Sequence, residues 1–228
     1  MSDGNEAPLH PITPRTLLLD LDGTLVDSLP DLAASLNRLM AARGMAPFAR
    51  EAVAGMVGDG VRALLDRAFA ARGGDPGPRD MADFLADYGA HLADATRPYP
   101  GVGAALGRLR AAGWRVAVCT NKPEGLARGV LHATGLLAAI DAVGGGDSFA
   151  VRKPDPGHLR ATLARAGGAT DRAVMAGDHR NDILAAHGAG VKAIFAAWGY
   201  GPPAIAAGAD AVAEDFAELA DLAVRLLA

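Results

Sequence analysis

The sequence has only one cysteine in 228 residues, Cys119, and it contains no apolar run of about 18 residues. One cysteine excludes a disulfide framework within the chain. The missing apolar run excludes a transmembrane helix. The N-terminus has no basic patch followed by an apolar stretch, so we expect no secretory signal. These absences favour a cytoplasmic protein that makes no contact with a membrane.

Lysine is scarce, and basic charge is not in excess. Arginine outnumbers lysine 19 to 3, and the formal net charge is -4 with a pI near 5.8. Nucleic-acid-binding domains usually carry a basic excess, so this charge disfavours a nucleic-acid partner. The three lysines are Lys122, Lys153 and Lys192, and their scarcity makes each a candidate for a specific role.

The remaining composition allows a sizeable core. Half of the residues are hydrophobic and 21% are charged, which excludes wholesale disorder. Short apolar runs without alternation suit strands buried on both faces, and helical patterns lie between them. Strands that alternate with helices predict an α/β fold, a Rossmann-like parallel sheet with helices on both faces. The apolar runs are 16–19, 115–119, 173–176 and 191–195, and the helical patterns are 102–112, 124–134, 158–166 and 182–188.

One long stretch, 29–98, interrupts this alternation. It has no convincing strand, and its glycines and prolines separate helical patterns at 31–43, 61–71 and 81–95. We therefore predict an all-helical insert after the first strand. The predicted organisation is a flexible tail at 1–15, an α/β core at 16–28 and 99–228, and a helical domain at 29–98.

Polar residues follow three of the predicted strands, and several are acidic. Asp20 and Asp22 follow the first, and Asp178 follows the third. Carboxyl ends of parallel strands meet at one edge of a sheet, so these carboxylates should converge there. Converging carboxylates repel one another, and a hard cation such as Mg²⁺ relieves that repulsion. Each aspartate alone could instead be a turn or helix-cap residue, but three after separate strands favour a metal site.

The segment after the second strand contains Thr120 and Asn121. Asn121 could cap a helix, and a helix N-terminus preceded by a hydroxyl and an amide is also a good phosphate site. Lys153 lies between Arg152 and Pro154. It could be a solvated loop lysine, or a fixed positive charge facing a phosphate.

These motifs resemble those of the haloacid dehalogenase superfamily of phosphohydrolases. Residues 20–28, Asp-Leu-Asp-Gly-Thr-Leu-Val-Asp-Ser, resemble its first motif, and the other three motifs follow in order. The resemblance runs from about residue 16 to 195, and the helical insert is similar to the superfamily's cap domain. The later motifs are carried by Thr120-Asn121, by Lys153 and by residues 177–182.

The resemblance implies a role for each motif residue. Asp20 would attack phosphorus and form an aspartyl-phosphate, and Asp22 would protonate the leaving alkoxide and then activate water. Magnesium would be held by Asp20, by the Asp22 carbonyl and by Asp178. Charge on the phosphoryl group would be stabilised by Thr120, Asn121 and Lys153. Asp182 would support Lys153 or a water molecule on the metal.

Within the superfamily, the segments 58–68, 99–102, 120–123, 145–148 and 152–156 are most similar to those of the phosphoglycolate phosphatases. The implied substrate is 2-phosphoglycolate, whose carboxylate needs a donor in the cap, and we expect Arg62, or failing it Arg67, to provide it. His179 replaces the usual serine after the fourth-motif Gly-Asp, and we expect it to border the site without binding the metal.

Other functions stay open from the sequence. The chain could act on a different sugar or acid phosphate, either as a phosphatase or as a phosphomutase. A catalytically silent binding module is disfavoured, because such a module could have lost any of the motif residues. The expected partner is a small phosphorylated metabolite, and we expect a monomer or a homodimer.

Overall fold

The computed structural model describes residues 13–228, so residues 1–12 of the predicted tail lie outside the described part of the chain. The strands are β1 (Thr16–Leu19), β2 (Val26–Asp27), β3 (Arg97–Pro98), β4 (Arg115–Cys119), β5 (Ala142–Gly144), β6 (Ala173–Gly177), β7 (Lys192–Ala196) and β8 (Ala211–Ala213). The helices are α1 (Leu29–Ala42), α2 (Arg50–Ala54), α3 (Val61–Ala70), α4 (Asp80–Ala90), α5 (Val102–Ala111), α6 (Glu124–Ala133), α7 (Pro156–Arg165), α8 (Arg180–Ala189) and α9 (Phe216–Leu226). None of these helices has the length and apolar character that crossing a membrane requires.

Six strands form a parallel sheet in the order β5-β4-β1-β6-β7-β8. The first strand, β1, lies inside the sheet; β4 and β5 follow on one side of it, and β6, β7 and β8 follow on the other. Ligands of open parallel sheets bind beyond the strands' carboxyl ends, where the order reverses. Leu19 lies opposite Val118 on one side and Ala176 on the other. The residues that follow β1, β4 and β6 therefore leave the sheet side by side.

The sheet is buried on both faces, which confirms the predicted α/β fold. Along β1, Leu17 and Leu19 belong to one apolar cluster and Leu18 belongs to the cluster on the opposite face. All three leucines are fully buried. Burial of each leucine side chain contributes roughly 1.5–3 kcal/mol, so a strand without alternation is stable only between two helical layers.

The sequence prediction omitted two strands of the six-stranded sheet, β5 and β8, and one of the helices that cover it, α9. The two strands have only three residues each and consist of alanine, valine and glycine, which is too little for a recognisable pattern. The start of α9 does carry a signal, since the Asp215 side chain accepts the Glu218 N–H at 2.9 Å.

Helices α1 to α4 form the helical insert between β2 and β3. These two strands pair antiparallel, so the chain enters and leaves the insert at one place. Asp31, in the first turn of α1, accepts hydrogen bonds from the Ala95 and Thr96 N–H groups and from the Thr96 hydroxyl at 2.7–3.1 Å. The insert buries its own apolar cluster, which includes Leu36, Met40, Leu65, Phe84 and Tyr88.

One helix boundary and one additional helix within the insert differ from the prediction. The helix predicted over 81–95 ends at Ala90, because the segment that follows turns back toward Asp31. The five-residue helix α2 was not predicted, since one and a half turns are too short to show a helical period. The predicted helices at 31–43 and 61–71 correspond to α1 and α3. Whether the insert is a separate domain stays a prediction.

Candidate active site

Three polar side chains meet at the carboxyl edge of the sheet. Asp20 follows β1, Thr120 follows β4 and Asp178 follows β6. All three are buried, with at most 4% of each residue exposed. The Asp20 N–H donates to the Ala176 carbonyl at 3.0 Å, so the backbone is still hydrogen-bonded to β6 at Asp20. Residues far apart in sequence thus share one buried edge.

Lys153 contacts two carboxylates at this edge. Its Nζ lies 3.0 Å from Asp20 Oδ1 and 2.5 Å from Asp182 Oδ1, and its side chain is fully buried. Burial alone would lower the pKa of Lys153, but the charges of Asp182 and Asp20 raise it above its ordinary value. Lys153 is therefore a fixed cation in the site and not a solvated loop residue.

His158 holds the loop that carries Lys153, a role that the sequence analysis missed. Its Nδ1 accepts the Lys153 N–H at 3.2 Å, and its Nε2 faces the Gly145 carbonyl at 3.1 Å. This arrangement requires a neutral ring with its proton on Nε2. Burial, with the nearby charge of Lys153, lowers the pKa of His158 to about 4. The only signal in the sequence was the short spacing between Lys153, which precedes α7, and His158 in the first turn of that helix.

Four side chains of types that can ligate a metal ion lie together here: Asp20, Asp178, His179 and Asp182. One ligand atom from each lies within 4.8 Å of the others. Asp178 is fixed by the Thr24 hydroxyl at 2.9 Å and by the Tyr200 N–H at 2.8 Å. The three carboxylates outnumber the two cationic groups beside them, Lys153 and His179, so the edge has an excess of negative charge. Carboxylate oxygens with excess negative charge fit a hard divalent cation.

His179 lies against this cluster, with its Nδ1 3.1 Å from Asp178 Oδ2. Burial would lower the pKa of His179, but the hydrogen bond and charge of Asp178, together with Asp182 and Asp20, raise it to about 9. A protonated imidazole donates hydrogen bonds and cannot ligate a metal. The ring instead offsets part of the carboxylate charge in this structure.

The Asp22 side chain belongs to a different group of contacts. Its Oδ1 accepts the Ser28 hydroxyl at 2.5 Å and the Lys122 Nζ at 2.9 Å. Only the main-chain carbonyl of Asp22 therefore stays a candidate metal ligand, as its sequence motif implied.

Lys122 also reaches the helical insert. Its Nζ donates to the Tyr88 hydroxyl at 2.6 Å and lies 4.4 Å from the centre of that ring. Burial opposes the charge of Lys122, but Asp22 and Tyr88 together raise the pKa of Lys122. Burial raises the pKa of Tyr88 to about 12, so the hydroxyl keeps its proton. The sequence singled out Lys122 as one of three lysines and gave no sign of its partners.

Asn121 does not cap a helix, because α6 begins at Glu124 and its N-terminal cap position is Pro123. The Asn121 Nδ2 instead donates to the carbonyls of Gly58 at 3.1 Å and Lys153 at 3.0 Å. This side chain therefore connects the helical insert to the loop of Lys153.

Gly58 lies where the insert contacts the residues that follow β4 and β6. Its carbonyl accepts a second hydrogen bond, from Asn181 Nδ2 at 2.9 Å. Its φ is +114°, and an added Cβ would lie 2.4 Å from His179 Cδ2. Both facts require glycine here.

A cavity that is partly open to solvent lies between the strand ends and the insert. Its polar wall comes from the core and its apolar wall comes mainly from the insert. The core contributes Asp20, Asp22, Thr120, Asn121, Lys122 and Leu126, and the insert contributes Leu32, Val57, Gly58, Gly60, Val61, Leu64 and Tyr88.

The structure brings neither expected arginine to this cavity. Arg62 lies on the outer face of α3, paired with Asp66 at 2.8 Å, and 66% of its side chain is exposed. Arg67 is paired with Asp59 and donates to the Met56 carbonyl. The expectation failed because α3 presents Val61 and Leu64 to the cavity, which turns the intervening Arg62 toward solvent.

The chain belongs to the haloacid dehalogenase-like hydrolase family, whose family model matches residues 14–190. It is 45% identical over 219 residues to the phosphoglycolate phosphatase of Rhodospirillum rubrum, covering 91% of this chain and 90% of that protein. It is 42% identical over 217 residues to the phosphoglycolate phosphatase of Agrobacterium fabrum, covering 93% and 91%. The crystal structure of a predicted phosphoglycolate phosphatase from Haemophilus somnus superposes with a TM-score of 0.84 at 31% identity, covering 92% of this chain and 97% of that one.

These comparisons confirm the resemblance seen in the sequence and agree with the α/β fold. Hydrolases of this family generally use a divalent metal, and the acidic cluster around Asp178 has the donors for one.

Proposed function

We propose that this protein is a magnesium-dependent phosphatase that hydrolyses 2-phosphoglycolate to glycolate and phosphate through an aspartyl-phosphate on Asp20. One observation carries the proposal. A buried carboxylate, Asp20, lies 3.0 Å from a buried ammonium group, Lys153, and lines a cavity between the strand ends and the helical insert. Relatives that are 40–45% identical over most of the chain carry the name phosphoglycolate phosphatase, which supports this substrate.

Asp20 is the proposed nucleophile. Its Oδ1 accepts the Leu21 N–H at 2.7 Å and lies 3.0 Å from the Lys153 Nζ, so the carboxylate is held in one orientation. Attack on phosphorus replaces one difficult displacement by two easier ones, because the covalent intermediate separates loss of the leaving group from attack by water.

Asp22 is the proposed general acid and base. The Ser28 hydroxyl and the Lys122 ammonium hold its carboxylate at the cavity wall. There it can protonate the leaving oxygen in the first step and take a proton from water in the second.

Developing charge on the phosphoryl group is met by donors of the core. We assign this role to Lys153, to the Thr120 hydroxyl and to the main-chain N–H of Asn121. Asp20, the carbonyl of Asp22, and Asp178 would hold Mg²⁺, which when bound neutralises and aligns the phosphoryl oxygens. A charged metabolite does not cross a bilayer unaided, so we propose a cytoplasmic location for an enzyme that consumes it.

A panel of phosphate esters in excess Mg²⁺ tests the proposal. We expect kcat/KM for 2-phosphoglycolate to exceed that for ethyl phosphate, sugar phosphates and p-nitrophenyl phosphate. A preference for a sugar phosphate would keep the phosphatase chemistry and overturn the substrate. Transfer of the phosphoryl group to a second sugar, without release of phosphate, would indicate a phosphomutase.

A further inference from the structure

We propose that the Lys122 ammonium and the Tyr88 hydroxyl form the site that binds the carboxylate of the leaving group, and we call this pair the leaving-group site. The inference rests on the proposed function and names the residues that give it specificity. It replaces the expectation that an arginine of the insert meets the substrate.

The leaving-group site lies next to the proposed general acid. Lys122 Nζ is 2.9 Å from Asp22 Oδ1 and 3.1 Å from Oδ2. Asp22 must reach the ester oxygen of the substrate in order to protonate it. In 2-phosphoglycolate the carboxylate carbon is two bonds from that oxygen, so a carboxylate in the cavity comes within reach of the Lys122 ammonium.

The other walls of the cavity offer little to an anion. Beyond the residues assigned to the phosphoryl group, the lining is mainly apolar, from Leu32, Val57, Val61, Leu64 and Leu126. Among residues 13–228, Lys122 is the only lysine or arginine that lines it. A carboxylate placed there without a donor would carry a large desolvation penalty. The leaving-group site therefore provides the charge that such a substrate needs.

The hydrogen-bonding capacity of the two groups suits an incoming carboxylate. An ammonium group donates three hydrogen bonds, which Lys122 now directs to Asp22 and Tyr88. When Asp22 turns toward the leaving oxygen, an N–H of Lys122 becomes available. The Tyr88 hydroxyl accepts from Lys122 and keeps its own hydrogen to donate.

The two members come from different parts of the fold. Lys122 follows β4 of the sheet, whereas Tyr88 lies on α4 of the insert. The leaving-group site is complete only when the insert contacts the core. Hydrogen bonds from Asn121 and Asn181 to the Gly58 carbonyl form that contact in this structure. Recognition of the leaving group is thereby linked to closure of the cavity.

The test compares 2-phosphoglycolate with ethyl phosphate, which has a methyl group where the natural compound has a carboxylate. We expect Lys122→Met to lower kcat/KM for 2-phosphoglycolate by about 10- to 100-fold more than for ethyl phosphate, the range of a charge-assisted hydrogen bond. Lys192→Met is the matched control, because Lys192 is exposed and paired with Asp210 away from the site. It should leave both substrates unchanged.

Tyr88→Phe keeps the aromatic ring and its packing while removing the hydroxyl. It should reduce the preference for 2-phosphoglycolate in the same direction, and it keeps the test valid if Lys122→Met fails to fold. In the inactive Asp20→Asn protein, calorimetry should show weaker binding of 2-phosphoglycolate when Lys122→Met is added.

Equal losses on both substrates would overturn the inference and would leave Lys122 as a group that only positions Asp22. A loss of preference in Arg62→Ala with none in Lys122→Met would also overturn it. Failure of the proposed function looks different, because the wild-type protein itself would then show no preference for 2-phosphoglycolate over ethyl phosphate.

Discussion

Asp20 is held in one orientation because its Oδ1 contacts both the Leu21 N–H and the Lys153 ammonium. Asp20→Asn keeps this shape, but an amide cannot attack phosphorus. We expect a folded protein with no turnover and no phosphoenzyme. Acid quenching during turnover, followed by mass spectrometry of the intact protein, measures the phosphoenzyme. A burst of phosphate release from the variant would mean that another group is the nucleophile.

His158 should make the stability of the protein depend on pH. Its pKa falls from an ordinary value near 6.5 to about 4 in the folded protein. As the pH falls, His158 therefore takes up a proton in the unfolded chain before it does so in the folded protein. The stability that the neutral ring contributes is present above pH 6.5 and is lost as the pH falls toward 4.

The comparison with His158→Gln isolates this contribution from those of other groups. Between pH 7 and pH 5 the wild-type free energy of unfolding should fall by about 2 kcal/mol more than that of the variant. Urea unfolding at both pH values measures the difference. Parallel losses in the two proteins would show that His158 is not the group responsible.

At the scale of elements, the loop between α2 and α3 determines how closely the insert approaches the core. Gly58→Ala would strain a backbone with φ of +114° and press a methyl group onto His179. Such strain costs about 1–3 kcal/mol, and we expect kcat/KM to fall at least about 10-fold because the Gly58 carbonyl shifts from Asn121 and Asn181.

Gly55→Ala is the matched control for this substitution. Gly55 has an ordinary φ of -68°, and its added Cβ would lie 3.7 Å from the Ala52 carbonyl oxygen, which is normal contact. Steady-state kinetics and thermal unfolding of both variants check the prediction. Similar activity in the two proteins would show that the close approach at Gly58 is unimportant for catalysis.

The sequence predicted the parts of the site that depend on strand ends and failed where helices meet the core. Asp20, Thr120 and Asp178 could be placed together because parallel strands align their carboxyl ends. The contact of Lys122 with Tyr88 depends on how α4 packs over β4, and no local pattern encodes that geometry. Arg62 was expected to meet the substrate because of its residue type alone. In the structure α3 turns Val61 and Leu64 toward the cavity and Arg62 toward solvent.

For the molecule as a whole, the sheet and the insert have separate apolar clusters that meet around one acidic site. The sheet supplies the residues proposed for chemistry, and the insert supplies most of the apolar wall of the cavity. The same division explains why relatives could share the acidic edge and still differ in substrate, since leaving groups meet a surface that both parts build.

The rate of phosphate release from 2-phosphoglycolate, measured with Mg²⁺ and again in excess chelator, tests the central claim most directly. The carboxylates of Asp20, Asp178 and Asp182 outnumber the cationic groups Lys153 and His179, so a divalent cation is needed before a phosphate dianion can enter. The account predicts turnover with Mg²⁺, none in chelator and full recovery when Mg²⁺ is restored. Undiminished turnover in chelator, or no turnover of 2-phosphoglycolate with Mg²⁺, would contradict it.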